Sequence, residues 1–391
     1  MNQIRENYPF LKQNIIYLDN ASTALKPKCV IDAVTNFYTT YTSNAYRGTY
    51  ANAEYVSLKI DECRALASVF LNCSSSEIVF TANCTDSINQ LVSMLGIKKE
   101  DKVVCSVLEH HSNLLPWVNN ASVVTVDIDT NGLIDLSGLE DILQKDVIKL
   151  VSVTGLSNVT GNIMPIKEIC TIAHRYGTLV NIDCCQLAPH KAIDVKDIDC
   201  DFLTLSGHKL GGPSGIGILY GKKELLSVCK PARFGGGMVD IIRDFDNIEY
   251  KEIPHCFEAG TPAIENILGL SAVLKFYMEI GFEQIEQQNQ NLNTYFLDKV
   301  MQSNNVELLF PVASIHATIF TFKMRNRDID MSYFAKILAD SANICVSSGY
   351  QCCQPLYHKI NSKGGMRVSL QFYNTTEEID SLFEVINHLT I

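Results

Sequence analysis

Short apolar runs alternate along the first two thirds of the chain with stretches in which apolar residues recur at helical spacing. Ile78 to Thr81, Val103 to Val107, Val123 to Val126, Ile148 to Val153, Leu179 to Ile182, Phe202 to Leu205 and Ile216 to Tyr220 have strand composition and length. Between them, Val56 to Phe70, the set Ile88, Leu91, Val92 and Leu95, and Pro165 to His174 repeat with the period of an α-helix. This alternation predicts an α/β fold with a large, mostly parallel sheet flanked by helices, whose ligands bind at the carboxyl ends of the strands. Near the start, Ile15 to Leu18 reads as a short strand followed by the polar turn Asp19-Asn20-Ala21-Ser22-Thr23.

After residue 263 the pattern changes. Helical spacing from Ala263 to Phe282, and on to about Met301, leads to strand-like Ala317 to Phe322, a helix near Ser332 to Asp340 and a strand at Met366 to Phe372. Thr375-Thr376-Glu377-Glu378 has the form of a capping box for a last helix. Thr261 reads as the N-cap and Pro262 as the first helical residue of the long helix after them. The expected organisation is a large domain over 13–264 and a smaller α+β domain over 265–391, with residues 1–12 packed against the smaller one.

Composition narrows the class. The chain has 391 residues, 47% of them hydrophobic and 19% charged, enough for a substantial core and a second small unit. No apolar run approaches the ~18 residues of a membrane helix, and the N-terminus lacks a basic segment leading into an apolar one, so a cytoplasmic protein is expected. A net charge of −11 argues against general nucleic-acid binding and leaves acidic surface for a basic partner. The fourteen cysteines contain no CxxC pair; in a chain of this length they read as reduced, small core residues, and no structural metal is expected.

Chemistry concentrates at the strand ends. Between Phe202–Leu205 and Ile216–Tyr220 a glycine-rich turn presents Ser206, His208 and Lys209. The Walker order is absent, and Gly215-x-Gly217 leads into a strand, so neither nucleotide motif fits. An amine on a rigid turn beside a hydroxyl and an imidazole suits a Schiff-base lysine holding a phosphorylated aldehyde cofactor. Thr85 and Asp86 stand at a helix N-terminus, a seat for a phosphate as well as an ordinary cap. His110 follows one strand, Asn158 another, and Asp183 with Gln186 a third. A carboxylate after Leu179-Val180-Asn181-Ile182 needs a cation, which a protein side chain or a protonated ring nitrogen supplies. Arg367, in an apolar strand, needs an anion, either a protein acid or a substrate carboxylate. Cys352 and Cys353 lie in a polar loop, either as nucleophiles or as two small residues without chemistry.

Together these segments resemble the class V aminotransferase family of fold type I pyridoxal-phosphate enzymes, and within it the type II cysteine desulfurases and selenocysteine lyases. The resemblance rests on Ser206-Gly207-His208-Lys209 with Gly212-Pro213-x-Gly215-x-Gly217, on Glu109-His110-His111-x-Asn113 with Pro116-Trp117, on Asp183 placed before Lys209, and on segments from Tyr17 to Asp380. It implies pyridoxal 5′-phosphate on Lys209, His110 over the ring, Asp183 at the ring nitrogen and Gln186 at the ring hydroxyl. It further implies Thr85 and Cys84 near the phosphate, Cys84 replacing a threonine, and Thr261 reaching the phosphate of a second subunit in a homodimer. Arg47 falls in a segment matching a His-Arg-Gly loop near the subunit boundary, with Tyr46 in place of histidine. Arg367 would bind the substrate α-carboxylate, and Cys352, counted from Gly349 and Pro355, would be the nucleophile. The flank departs from the family loop: Ser347 stands for arginine, Tyr350 and Gln351 for two histidines.

The activity implied is conversion of L-cysteine to L-alanine, with sulfur passed as a persulfide on Cys352 to an acceptor protein, as in iron–sulfur cluster assembly. Selenocysteine lyase, cysteine sulfinate desulfinase, or a pathway lyase, epimerase or aminotransferase on the same scaffold is the alternative; a non-catalytic scaffold is a further one.

Overall fold

The computed structural model describes residues 2–325 and 329–388; Met1, and residues 326–328 and 389–391 of the expected small domain, lie outside the described residues. Seven strands form the central sheet: β1 (Ile78–Thr81), β2 (Lys102–Ser106), β3 (Ser122–Val126), β4 (Ile148–Thr154), β5 (Leu179–Asp183), β6 (Phe202–Ser206) and β7 (Gly217–Gly221). Their order across the sheet is β1-β7-β6-β5-β4-β2-β3. Only β7 runs against its neighbours, pairing antiparallel with β1 and with β6, while the other pairs are parallel. Helices such as Ile166–Arg175 return the chain between parallel strands, covering both faces, which is why β4 and β6 are buried almost throughout rather than at alternate positions.

The β6–β7 pair places Ser206 opposite Gly217 and so closes the lysine turn at the carboxyl end of β6. Gly217 is a spatial requirement: a Cβ there would lie 2.7 Å from the Asn83 Cα and from the Leu205 carbonyl oxygen. That closeness sets the N-terminus of helix Cys84–Met94 against the lysine turn.

A second sheet lies in the C-terminal part, with β8 (Val306–Leu308), β9 (Ile319–Met324), β10 (Ser347–Gly349) and β11 (Gly365–Ser369) in the antiparallel order β8-β9-β11-β10. Helices Phe282–Gln302, Met331–Ala342 and Thr376–His388 cover it around a separate apolar core, in which Phe296 stacks on Phe320 at 4.0 Å. The capping box forms: Glu378 accepts from the Thr375 N–H at 3.1 Å and Thr375 Oγ1 accepts from the Glu378 N–H at 3.4 Å.

The start of the chain is tied to this C-terminal part. Ile16–Tyr17 pairs in parallel with Ile344–Cys345, Arg5 meets Glu378 at 2.6 Å, and the Tyr8 ring lies 4.2 Å from that of Tyr373. Helix Ile264–Ile280 packs on Lys28–Asn36 and Ala51–Leu71 in the apolar core of the large sheet. Its N-cap is Ala263, at φ −74° and ψ 76°, not Thr261. The expectation of Thr261 as cap and Pro262 as first helical residue is corrected: Pro262 fixes its own φ, but the chain turns helical only at Ile264. All fourteen cysteines are free, eight of them buried. Among the described residues no helix is long and apolar enough to cross a membrane.

Candidate active site

Helix Cys84–Met94 begins with Asn83, whose Oδ1 accepts from the Asp86 N–H at 2.9 Å. Ser206, at the end of β6, accepts from the Cys84 N–H at 2.9 Å, which fastens the helix end to the strand that carries the lysine turn. Thr85, one residue into the helix, donates to Ser112 Oγ at 2.7 Å. The Ser112 N–H in turn donates to His110 Nδ1 at 3.1 Å, so the imidazole proton sits on Nε2. Burial pushes the His110 pKa down to about 4, and the ring is neutral near pH 7.

Lys209 lies in the short turn after β6. Its Nζ donates to the Ser22 carbonyl at 3.0 Å and also to that of Ala21, the carbonyl that accepts from Gln186 Nε2 at 2.8 Å. Burial lowers the ammonium pKa. His208 Nδ1 lies 3.2 Å from Thr23 Oγ1, and burial pushes its pKa down to about 4.

Asp183, at the end of β5, is 5% exposed. Burial raises its pKa, against the pull of the Cys185 N–H at 2.9 Å, the thiols of Cys84 and Cys185, and the charge of Lys209. Among the described residues it forms no salt bridge. A buried carboxylate without an ion-pair partner, on the wall of a cavity, is the arrangement a protonated ring nitrogen satisfies.

Cys84, Thr85, His110, Asn158, Asp183, Gln186, Ser206, His208 and Lys209 line one cavity of about 370 Å³. A helix end with Thr85, a carboxylate and an amine thus face one space of cofactor size, and the residues fit pyridoxal phosphate. A neighbouring space of about 510 Å³ shares His110, Asn158, Gln186 and Lys209 with the first and is walled by Arg367 and Cys352.

Arg367, on β11, is 3% exposed. Nη1 donates to the Asn158 carbonyl at 3.1 Å, and Nη2 donates to Asp19 at 3.1 Å and to Ser22 Oγ at 2.6 Å. Nε is buried without a partner among the described residues. Of the two anions the sequence left open, the protein acid is present as Asp19, and the guanidinium still faces the second cavity.

The cysteine doublet splits. Cys352 is exposed and adopts φ 56° directly after Gln351 at φ 43°, two left-handed residues in succession. Their carbonyls are held: that of Gln351 accepts from Asn158 Nδ2 at 2.8 Å and that of Cys352 from the His111 N–H at 2.9 Å. Gln351 also donates to the Gly365 carbonyl at 3.2 Å and accepts from the Tyr357 hydroxyl. Cys353 is fully buried, with its thiol pushed up to about 12 by burial.

Arg47 and Thr261 are not brought to either cavity; they line a separate pocket with Gly236, Gly237 and Lys251. The sequence reading missed Asn83, Ser112, Thr154 and Cys185 in the first cavity, and the pairing of Asp19 and Ser22 with Arg367. Ser112 was within reach, since it follows the two histidines after β2. Cys185 looked like one more core cysteine.

Four histidines, His110, His190, His208 and His316, are each pushed down to about 4 by burial. The unfolded chain binds protons at these groups below about pH 6.5 whereas the folded chain does not, so their stabilising effect is complete above that value and is lost as pH falls toward 4. For fully buried His190 the loss at pH 5 is on the order of 2 kcal/mol. The urea midpoint is expected to fall between pH 7.5 and pH 5, with a shallower fall in His190→Gln; equal slopes in parent and variant would count against it.

The profile of the Aminotransferase class-V family matches residues 16–382. A protein of Halalkalibacterium halodurans described as a probable cysteine desulfurase is 35% identical over 97% of this chain and 95% of its own length. The apo structure of a cysteine desulfurase from Thermococcus onnurineus superposes with a TM-score of 0.93 at 32% identity, covering 99% of this chain and 97% of that one. A cysteine desulfurase structure from Escherichia coli gives 0.89 at 31% identity over 98% and 97%.

Proposed function

This chain belongs to the Aminotransferase class-V family, and from that premise we propose that it is a pyridoxal-phosphate-dependent cysteine desulfurase that passes sulfur from L-cysteine through Cys352. The observation that carries the assignment of roles is the position of Lys209 on the wall shared by two cavities, one with Asp183 and Thr85, the other with Arg367 and Cys352. When bound, the cofactor supplies an electron sink for the pair left at the substrate Cα.

Lys209 would hold the cofactor covalently, and its Nζ would take the substrate Cα proton; burial, which lowers its pKa, favours the free amine this needs. Asp183 would hold the cofactor's ring nitrogen protonated, and neutral His110, with its proton on Nε2 and its side chain on the wall of the same cavity, would help to hold the ring. Arg367 binds the substrate carboxylate and so orients the substrate sulfur toward the exposed Cys352. The Cys352 thiolate attacks that sulfur: an S–S bond forms, the Cβ–S bond breaks, and its electron pair stays with the carbon, which is then protonated. L-Alanine and a Cys352 persulfide result. Parallel assays with L-cysteine, L-cysteine sulfinate and L-selenocysteine test the substrate; sulfide and alanine in equal amounts, fastest from L-cysteine, are expected.

The altered flank favours a second reading, a different pyridoxal-phosphate reaction that needs no thiol. Tyr350 and Gln351 replace two histidines, and Gln351 serves to brace the loop. Under that reading product formation survives removal of Cys352.

Replacing Arg367 by lysine keeps the charge but loses the planar fork. The charge-assisted bonds at stake, about 1.5–3 kcal/mol, correspond to a rise of roughly 10- to 150-fold in KM for L-cysteine. An unchanged KM would restrict Arg367 to its pair with Asp19.

A homodimer completes the proposal. The pocket holding Arg47 and Thr261 lies apart from this chain's own cofactor cavity. The hairpin of Val239–Asp244 and Asn247–Tyr250 exposes Ile242 and Phe245, the latter 98% exposed, as a face awaiting cover. Light scattering on the purified chain is expected to give twice the chain mass. A soluble, cytoplasmic setting and a protein acceptor for the persulfide belong to the same reading.

A further inference from the structure

Cys84 opens the helix after β1, and Cys185 lies two residues beyond the end of β5, far away in sequence. The fold brings both to Asp183. The two Sγ atoms and a carboxylate oxygen of Asp183 all lie within 4.8 Å of one another. All three residues line the cavity that also contains Lys209, so the cluster borders open space from which an ion and a fourth ligand could enter.

We propose that Cys84, Asp183 and Cys185 form a binding site for a thiophilic divalent cation of the Zn²⁺ class in the cofactor-free chain, and that pyridoxal phosphate excludes it. Two sulfurs and one oxygen form a donor set for zinc rather than for magnesium or calcium, which prefer oxygen throughout. Zinc bonds of about 2.3 Å to sulfur and about 2.1 Å to oxygen hold tetrahedral ligand atoms roughly 3.5–3.8 Å apart, so ligand atoms that lie within 4.8 Å of one another would close by up to about 1 Å on binding. Cys185 is only partly buried, which gives a path of entry through the cavity.

The exchange balances without any redox change. Each thiol releases its proton to solvent, two Zn–S bonds and one Zn–O bond form, and a water completes the open position. Before binding the cluster carries one negative charge, on Asp183; afterwards two thiolates and one carboxylate against one divalent ion leave the same single charge. Lys209, whose ammonium feels both Asp183 and Cys185, therefore keeps its counter-charge. The ion uses the carboxylate that the cofactor's ring nitrogen needs, in the same cavity, so the two cannot be held together. That exclusion rests on the cofactor seat proposed above; ligation of the metal does not. Its consequence is a chain that, when it meets thiophilic metal before cofactor, is kept from loading.

Cobalt(II) is the probe, because thiolate ligation gives it a charge-transfer absorption band. The full chain is stripped of cofactor and titrated anaerobically, in a Cys352→Ala background that removes the exposed thiol. One equivalent of cobalt is expected to develop the band. Cys84→Thr and Cys185→Ala are each expected to weaken binding at least about tenfold, as loss of support to a metal typically does. Far-UV circular dichroism and a cooperative urea transition show that these variants are folded. The band should be absent from the cofactor-loaded chain, and cobalt loaded first should slow cofactor uptake. A band unchanged by both substitutions overturns the metal site; an equal band in the cofactor-loaded chain overturns the exclusion. Failure of the metal-free parent to take up pyridoxal phosphate would instead sink the cofactor reading, independently of the cobalt result.

Discussion

Lys209→Ala is expected to leave a folded chain that neither holds pyridoxal phosphate covalently nor turns over L-cysteine. Two functions are expected to fall together, because in the proposed roles one Nζ both anchors the cofactor and moves the Cα proton. Loss of a positioned base alone costs about 10²- to 10⁴-fold, and loss of the covalent anchor adds to it. Lys209→Arg distinguishes charge from chemistry: it retains a cation near the Ala21 and Ser22 carbonyls, which the lysine contacts, but a guanidinium does not give up its proton in the working range. Both variants are expected to be inactive, and cofactor absorbance together with alanine release is the measurement. Parent-level alanine from either would remove Lys209 from the mechanism.

Cys352→Ala is the second large effect, and its value lies in the contrast with the adjacent residue. Removing a nucleophile that works in concert with its neighbours is expected to cost roughly 10³-fold or more in sulfide release, while cofactor loading stays at the parent level. Cys353→Ala is expected to keep activity within about twofold and to lower stability by on the order of 1 kcal/mol, since its buried sulfur fills space and makes one contact, to the Val107 carbonyl. The contrast follows from burial. Cys352 is exposed on the wall of the second cavity, whereas the Cys353 thiol is enclosed near the Val107 carbonyl and pushed up to about 12. A pair of variants equally active, or equally dead, would contradict it.

The elements that carry the site were legible in sequence because they are local. β1, β4, β5 and the β6–β7 pair are mostly apolar runs bounded by turn residues, with Asp183 at the end of β5 and Lys209 in the turn between β6 and β7. Helix Cys84–Met94 announced itself by the spacing of Ile88, Leu91 and Val92 after a polar stop. What stayed hidden depends on contacts between distant segments. Arg367 finds Asp19 and Ser22 only because the turn after Ile16–Tyr17 is carried to β11 by a parallel pairing and a bridge between Asp19 and Ser369. Adjacent cysteines in a polar loop look alike in sequence, and only packing turns one outward and buries the other. Gln351 read as a lost histidine, yet its side chain and carbonyl tie the Cys352 loop to Gly365, Tyr357 and Asn158. Thr261-Pro262 had the local form of a helix start, and the backbone at Ala263 delayed it.

The central claim is that sulfur leaves L-cysteine onto Cys352. Its most direct test is one anaerobic turnover: chain loaded with pyridoxal phosphate, in the Cys353→Ala form so that the doublet is unambiguous, meets one equivalent of L-cysteine without reductant. Alkylation and peptide mass spectrometry then locate any added sulfur while alanine is quantified. One sulfur atom on Cys352 for each alanine formed is the expected result. Alanine formed while Cys352 carries no added sulfur would contradict the account.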